Sequence, residues 1–433
     1  MVNLPVEFTD KKVTPFGGMS LMKRFVDSLG IREKLKELSL PKGGSNRAYN
    51  PEQIIESFWL SIWTGASRYI HADWLRYDTV LQAIFSFKSM PSQSTYSRFF
   101  NKFSLAKNTE IFPELQAWSL SQVNIEHITL DLDSTVITRA GTQQGSAKGY
   151  NPLRRGRNSH HPLIAFVSQT RMVANAWLRP GNTADSSSCE AFLQETLNHT
   201  RKDQKVGLLR ADSGFYTQGI LNGLASESIN YIIATRFYPN VKRAVYGLDH
   251  WVSIGKGIEV NQMHFSHEGG EVRRYIIVRK DISQRPNSGG KQLFDDPTYR
   301  FSCYVTHMDL PLDEIWTMYN ARADCENRIK ELKADFGLNH FCMQDFWATE
   351  ASFRFIMVAY NVMSLFRFAA LQSGNRMTLS TLRSYCFALG AWTSNHSNKK
   401  VLKVSLPVKR RPWMEGVFSK IDKSSPPFQF SNA

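Results

Sequence analysis

The stretch Tyr319-Asn-Ala-Arg322-Ala-Asp-Cys325-Glu326-Asn-Arg-Ile329-Lys-Glu-Leu332-Lys333 decides how this chain is read. At about 100° per residue on a helix, Tyr319, Arg322, Glu326 and Lys333 fall within a stripe roughly 60° wide. Cys325, Ile329, Leu332 and Phe336 fall on an adjoining apolar stripe of similar width. One face therefore anchors the helix. Its neighbour carries a phenol, a guanidinium, a carboxylate and an ammonium in a row, a set suited to holding a metal and gripping phosphates. Helices rich in Glu and Lys are ordinarily solvated faces with i,i+4 pairs, so this segment alone does not fix the chemistry.

Two further carboxylate sites bear on it. In His127-Ile-Thr-Leu-Asp131-Leu-Asp133-Ser-Thr135, strand alternation puts Thr129, Asp131 and Asp133 on one face and Ile128, Leu130 and Leu132 on the other. Aspartates are poor strand formers, and two side by side repel unless a positive group lies between them and their surroundings. In Lys205-Val-Gly-Leu-Leu-Arg210-Ala-Asp212-Ser-Gly214-Phe215, Val206, Leu208 and Leu209 read as a buried strand with Asp212 at its end. An Asp followed by Gly is also a common turn residue. Two strand-end aspartates and a helical glutamate are the ingredients of a two-metal phosphoryl-transfer site. Carboxylate oxygens are the hard ligands that Mg²⁺ prefers.

These blocks resemble a known family. Asp133-Ser-Thr, Arg210-Ala-Asp212-Ser-Gly-Phe and Tyr319-x2-Arg322-x3-Glu326-x6-Lys333 are similar to the three catalytic blocks of bacterial insertion-sequence DDE transposases with the Y-R-E-K signature. Leu178-Arg-Pro-Gly-Asn182-Thr-Ala-Asp185 and Lys148-Gly-Tyr150-Asn-Pro add to the likeness, which covers roughly residues 125–375. The resemblance implies that Asp133, Asp212 and Glu326 are catalytic and bind two Mg²⁺ ions, with Mn²⁺ as a substitute. Asp131 stays open as ligand or neighbour of the ligands. It also implies a hairpin intermediate, which requires a base to leave the stack. Arg322 then suits a bidentate phosphate grip, Lys333 a point charge and Tyr319 a hydrogen bond to the same backbone. Trp251 is the candidate aromatic wedge for the extruded base.

Composition agrees with such a partner. The 433 residues include 53 Lys plus Arg against 38 acidic residues, a formal charge of +15. That excess points to an anionic polymer, here double-stranded DNA as transposon ends and target. Synapsis of two ends implies a homodimer on DNA. The five scattered cysteines form no C-x-x-C pair, which argues against zinc and disulfides and fits a reducing cytoplasm. A bacterial, nucleoid-associated location is expected. The first residues have no apolar signal-like run. Phe353 to Leu371 is apolar but interrupted by Arg354, Asn361 and Arg367, which reads as a buried helix and not a membrane span.

The expected architecture is an α/β RNase-H-like catalytic core interrupted by a β-rich insertion domain and preceded by an α-helical DNA-binding domain. Residues 1–120 form the helical domain, with periodicity through Met19–Leu38, Pro51–Thr64 and Trp74–Phe87. The stretch Pro91–Phe103 suits the second helix of a helix-turn-helix, with Tyr96, Arg98 and Lys102 on a polar side and Phe99, Phe100 and Phe103 inward. Residues 121–236 form the first part of the core, with strands at 127–133, 161–168, 171–178, 205–211 and 229–236. The first and fourth strands, ending in Asp133 and Asp212, should lie side by side. Residues 237–310 form the insertion, 311–375 carry Glu326, and 376–433 form a basic C-terminal region. Ser283–Gly290 reads as a surface loop.

Between the first two strands, Lys148, Arg154, Arg155 and Arg157 suggest contacts to the DNA backbone, as Arg98 does in the helical domain. His160 and His161 are weaker ligand candidates, because Mg²⁺ disfavours imidazole. Asn182 and Asp185 either support the ligands or cap the following helix. A metal-dependent nuclease of the same fold and a catalytically inactive DNA-binding protein are the rival readings.

Overall fold

The computed structural model describes residues 4–184, 188–200, 204–266, 270–283, 298–371, 377–396 and 399–430. The chain forms two compact units instead of five successive parts. One comprises residues 1–123, 142–144 and 330–428; the other comprises 124–141, 145–329 and 429–433. Asp185 and most of the Ser283–Gly290 loop lie outside the described residues.

The helical unit begins with α1 (Met19–Ser28), α2 (Ile31–Glu37), α3 (Pro51–Thr64), α4 (Tyr69–Leu75), α5 (Thr79–Ile84), α6 (Gln93–Phe100) and α7 (Leu105–Ser121). The expected Met19–Leu38 helix is broken at Gly30, whose φ of +65° is a left-handed conformation that glycine adopts without a Cβ penalty. The connection from α5 to α6 spans residues 85–92, longer than the roughly three- to four-residue turn of a helix-turn-helix. Tyr96 does not sit on the polar side of α6. It is fully buried, and its hydroxyl lies 3.0 Å from Ser57 Oγ. Phe99, Phe100 and Phe103 pack inward as the amphipathic pattern requires, and Arg98 stays exposed.

Among the described residues, the main sheet of the sheet unit has nine strands: β1 (His127–Ser134), β2 (Leu163–Val167), β3 (Val173–Trp177), β4 (Lys205–Ala211), β5 (Asn230–Ala234), β6 (Val252–Gly255), β7 (Ile258–Ser266), β8 (Val272–Asp281) and β9 (Tyr299–Thr306). Their spatial order is β6-β7-β8-β9-β5-β4-β1-β2-β3. The first strand lies beside the fourth, and the two run parallel, as expected. β5 runs parallel to β4, while β2 and β3 are antiparallel neighbours on the other side. The stretch 237–310 is not a separate insertion domain. Its strands pair antiparallel in series, and β9 joins the edge of β5. A strand edge left unpaired there would expose a row of N–H and C=O groups.

Helices α8 (Cys189–Asn198), α9 (Gln218–Ser226), α10 (Pro239–Tyr246) and α11 (Leu312–Asn320) belong to the sheet unit, and α12 (Ala323–Ala334) begins there. The Tyr319–Lys333 segment is therefore two helices broken at 321–322, not one. At the break, the Arg322 amide donates to Tyr319 O (2.9 Å) and the Cys325 amide to Arg322 O (2.8 Å). The apolar stripe behaves as expected: Cys325, Ile329, Leu332 and Phe336 are all buried.

The remainder of the helical unit includes α13 (Phe346–Ala370), α14 (Leu379–Leu382) and α15 (Arg411–Lys423). Among the described residues, α13 is the one helix long and apolar enough to span a membrane by length and composition. Most of its apolar window is buried inside the protein, the mark of a core helix. Trp59 and Trp63 of α3 donate their indole N–H groups to carbonyls of α13, at Phe355 (2.8 Å) and Ala359 (3.3 Å). In the basic C-terminal region, Ala391–His396 and Lys399–Val404 pair as antiparallel strands, followed by α15.

Candidate active site

The ends of β1 and β4 bring two aspartates together. Asp131 is paired in register with Arg210, and Leu132 with Ala211, so Asp133 and Asp212 are the next residues along these parallel strands. The two acids of β1 have different fates. Asp131 is fully buried and receives Arg210 bidentately, Nε to Oδ1 at 2.7 Å and a terminal nitrogen to Oδ2 at 3.0 Å. Such a fork is a strong, oriented pair. Arg210 also donates to Met318 O (2.5 Å) and Ser168 Oγ (2.8 Å), tying the strand to the end of α11.

Asp133 is buried beside Arg322, whose guanidinium lies 3.3 Å from Oδ1. The same nitrogen donates to Leu132 O at 2.7 Å, and the Ser134 amide donates to Asp133 Oδ1 at 2.9 Å. Burial pushes the Asp133 carboxyl up to about 6; Arg322 opposes this, and the charges of Asp212 and Glu326 add to it. Burial works against the Arg322 charge, but Asp133 in particular drives its pKa upward. Arg322 Nε is buried without a hydrogen-bond partner among the described residues. Tyr319 is half-buried, with its ring 4.2 Å from that of Tyr304, and burial pushes its hydroxyl to about 12. Arg322 is thus turned into the protein, and Tyr319 is partly so. At the helix break, Arg322 is held by the Leu132 carbonyl and Asp133.

Asp212 is half-buried, and one of its oxygens accepts the Gly214 amide at 2.9 Å, capping the turn that follows β4. Glu326 lies in the first turn of α12, is exposed and has no hydrogen bond or ion pair among the described residues. Its neighbour Asp324 is occupied by Arg328 (2.9 Å) and Arg171 (3.4 Å). Arg328 is buried and donates to the Val167 and Ser168 carbonyls (3.2 and 2.9 Å), which seats α12 on the end of β2. Among the described residues, no three His, Cys, Asp or Glu side chains stand close enough to hold one metal ion. Like-charged carboxylates keep apart unless a cation offsets them. The donor set of Asp133, Asp212 and Glu326 is all oxygen, which fits a hard divalent ion.

Reasoning from the sequence did not single out Arg210 or Arg328 as positioning residues. A buried strand of Val and Leu that contains an Arg demands a partner, and Asp131 was the unassigned carboxylate. Lys333 lies two turns beyond Glu326 on α12, in the stretch grouped with the helical unit. Trp251 is not beside these groups. It precedes β6, the outermost strand, six strand positions from β1, on the order of 30 Å at about 4.8 Å per strand. There Arg279 stacks over its ring at 4.3 Å and Phe301 meets it edge-on.

The basic loop returns to the sheet beside Asp133. Short strands Ile137–Thr138, Ala147–Lys148 and Asn158–His160 form a three-stranded sheet between β1 and β2. Lys148, Arg154, Arg155 and Arg157 are all exposed. His160 is buried, and Arg139 Nε donates to its Nδ1 at 3.0 Å; His161 is buried too. Asn182 is exposed in the turn after β3 and does not cap α8, whose N-cap is Ser188. Two glycines make this layout possible. A Cβ on Gly149 would meet Gly181 O at 1.9 Å, and one on Gly181 would meet the Ser159 and Ala147 carbonyls at 2.0 and 2.4 Å. Gly181→Ala is therefore expected to destabilise the sheet unit by about 2–3 kcal/mol through overpacking against backbone. Its urea midpoint should fall; an unchanged midpoint would mean that these segments do not approach so closely.

No curated protein gives a significant match. A solved structure of the piggyBac transposase synaptic complex with hairpin DNA aligns over 96% of this chain and 84% of that chain, at 13% identity and a TM-score of 0.43. The family model described as transposase DDE domain group 1 matches residues 2–426. The chain therefore belongs to the DDE transposase family.

Proposed function

We propose that this chain is a cut-and-paste DNA transposase of a bacterial insertion sequence with an RNase-H-like core. It binds terminal inverted repeats, cleaves strands, forms a hairpin and transfers the end to target DNA. One observation carries the reading. Asp131 and Asp324 are each held by arginines, whereas Glu326 has no hydrogen bond or ion pair among the described residues and the charges of Asp212 and Glu326 both act on Asp133. Asp133, Asp212 and Glu326 would hold two Mg²⁺ ions, and Asp131 would be a structural acid. Two such ions supply a water nucleophile at neutral pH and charge to stabilise the leaving oxygen.

The chain's own residues then have distinct tasks. Arg322 keeps the Asp133 carboxylate ionised and aimed along the strand end. Arg210 holds β1, β4 and the end of α11 in one register. Lys148, Arg154, Arg155, Arg157, Arg98 and Lys333 would meet DNA phosphates, which fix register without reading sequence. Two ends in one complex call for two copies of the chain, acting on nucleoid DNA in the cytoplasm.

A strand-transfer assay tests this, using duplexes taken from the DNA on either side of the reading frame, a supercoiled target and Mg²⁺. Products joined to the target support a transposase. Nicks without joining would make the chain a nuclease, and binding alone would make it an inactive DNA-binding protein.

A further inference from the structure

The loop tip 150–157 shows two apolar side chains to solvent in the middle of a cationic surface. Leu153 is 90% exposed and Tyr150 68%. They are flanked by exposed Lys148, Arg154, Arg155 and Arg157, with no acid in the segment 145–160. The tip is held from within. Asn151 is buried, its amide donating to Thr138 Oγ1 at 2.9 Å and its Oδ1 accepting the Arg154 amide at 3.0 Å. Gly149 is wedged against the Gly181 carbonyl.

A leucine left in water forgoes about 1.5–3 kcal/mol of burial. Here the backbone is pinned on either side of it, so collapse onto the protein is prevented. The surrounding charge selects a polyanion as the cover, and for an apolar side chain held among phosphate-binding cations the space between base pairs is a complementary surface on DNA. The loop leaves β1 and returns on β2 where Ser134 pairs with Leu163 and Asp133 with Ile164. It is thus rooted at the carboxylates, unlike Trp251 at the far edge of the sheet.

We propose that Tyr150 and Leu153 are the wedge that enters the DNA base stack beside the cut site, while Lys148, Arg154, Arg155 and Arg157 hold the adjoining phosphates. This rests on the transposase reading for its substrate. The insertion splays one base step, so the base that must swing out for a hairpin is already unstacked, with the phenol of Tyr150 offered as its stacking platform.

The test uses the full chain and flanking-DNA duplexes carrying 2-aminopurine at successive positions, in EDTA so that nothing is cut. At saturating wild-type protein, one or two adjacent positions should brighten by about threefold or more as the base unstacks. In Tyr150→Ala/Leu153→Ala the brightening is lost at saturation, the affinity falls by roughly 5- to 150-fold, and the salt slope is unchanged. In Arg154→Ala/Arg155→Ala the brightening persists at saturation, while the salt slope drops by about two. Wild-type protein that fails to brighten any position, or a Tyr150/Leu153 double variant that still does, overturns the wedge. Adding Mg²⁺ to the same complexes separates the two proposals. Brightening without cleavage would sink the transposase chemistry alone, and cleavage without brightening would sink the wedge alone.

Discussion

Glu326→Gln is expected to leave the fold intact and to lower strand cleavage on the order of a thousandfold, about 4 kcal/mol of lost transition-state stabilisation. The side chain is exposed and has no hydrogen bond or ion pair among the described residues, so its amide costs the folded state nothing. What changes is the charge it presents toward Asp133, which registers Glu326 despite the distance. An amide oxygen is a far weaker ligand for a hard divalent ion than a carboxylate. Asp212→Asn should lose as much activity, since its side-chain oxygen can still accept the Gly214 amide and preserve the turn. Asp133→Asn is a less clean probe, because it also strips Arg322 of its buried counter-charge. Single-turnover cleavage beside a thermal melt provides the check. A Glu326→Gln protein that cuts at the parental rate would remove this residue from the centre.

Strand alternation was enough to set Asp133 and Asp212 at neighbouring strand ends, because β1 and β4 pair in parallel register. It was not enough to divide labour between Asp131 and Asp133. Both lie on the same face of β1, and only the parallel register with β4 sets Arg210 opposite the first. The helix break at 321–322 was equally hidden. Periodicity runs through it without a phase change, and the contacts that hold Arg322 there, to the Leu132 carbonyl and Asp133, are tertiary. The strands of 237–310 were legible from their pattern, but a pattern of alternation does not say which edge a strand joins. Tyr96 was misassigned because a phenol reads as amphipathic, while here its hydroxyl is satisfied internally by Ser57.

Arg210→Met gives the largest expected effect on stability. The substitution leaves the fully buried Asp131 carboxylate without its counter-charge. Removing one partner of a buried pair typically costs about 3–5 kcal/mol, more than the pair itself contributes. Hydrogen exchange at the β1 and β4 amides should accelerate accordingly, and the urea midpoint read there should fall. Replacing both partners, as Asp131→Leu/Arg210→Met, removes the buried charge altogether and should restore most of the loss. Cleavage should not return with it. Arg210 also donates to the Met318 carbonyl and Ser168 Oγ, and a methionine makes neither bond. The end of α11, and with it the turn that sets Arg322 against Asp133, then loses its tether to β4. If Arg210→Met proved as stable as the parent, the fork between Arg210 and Asp131 would contribute nothing to the fold. If the double variant cut DNA normally, the arginine would have no positioning role and its fork on Asp131 would serve the fold alone.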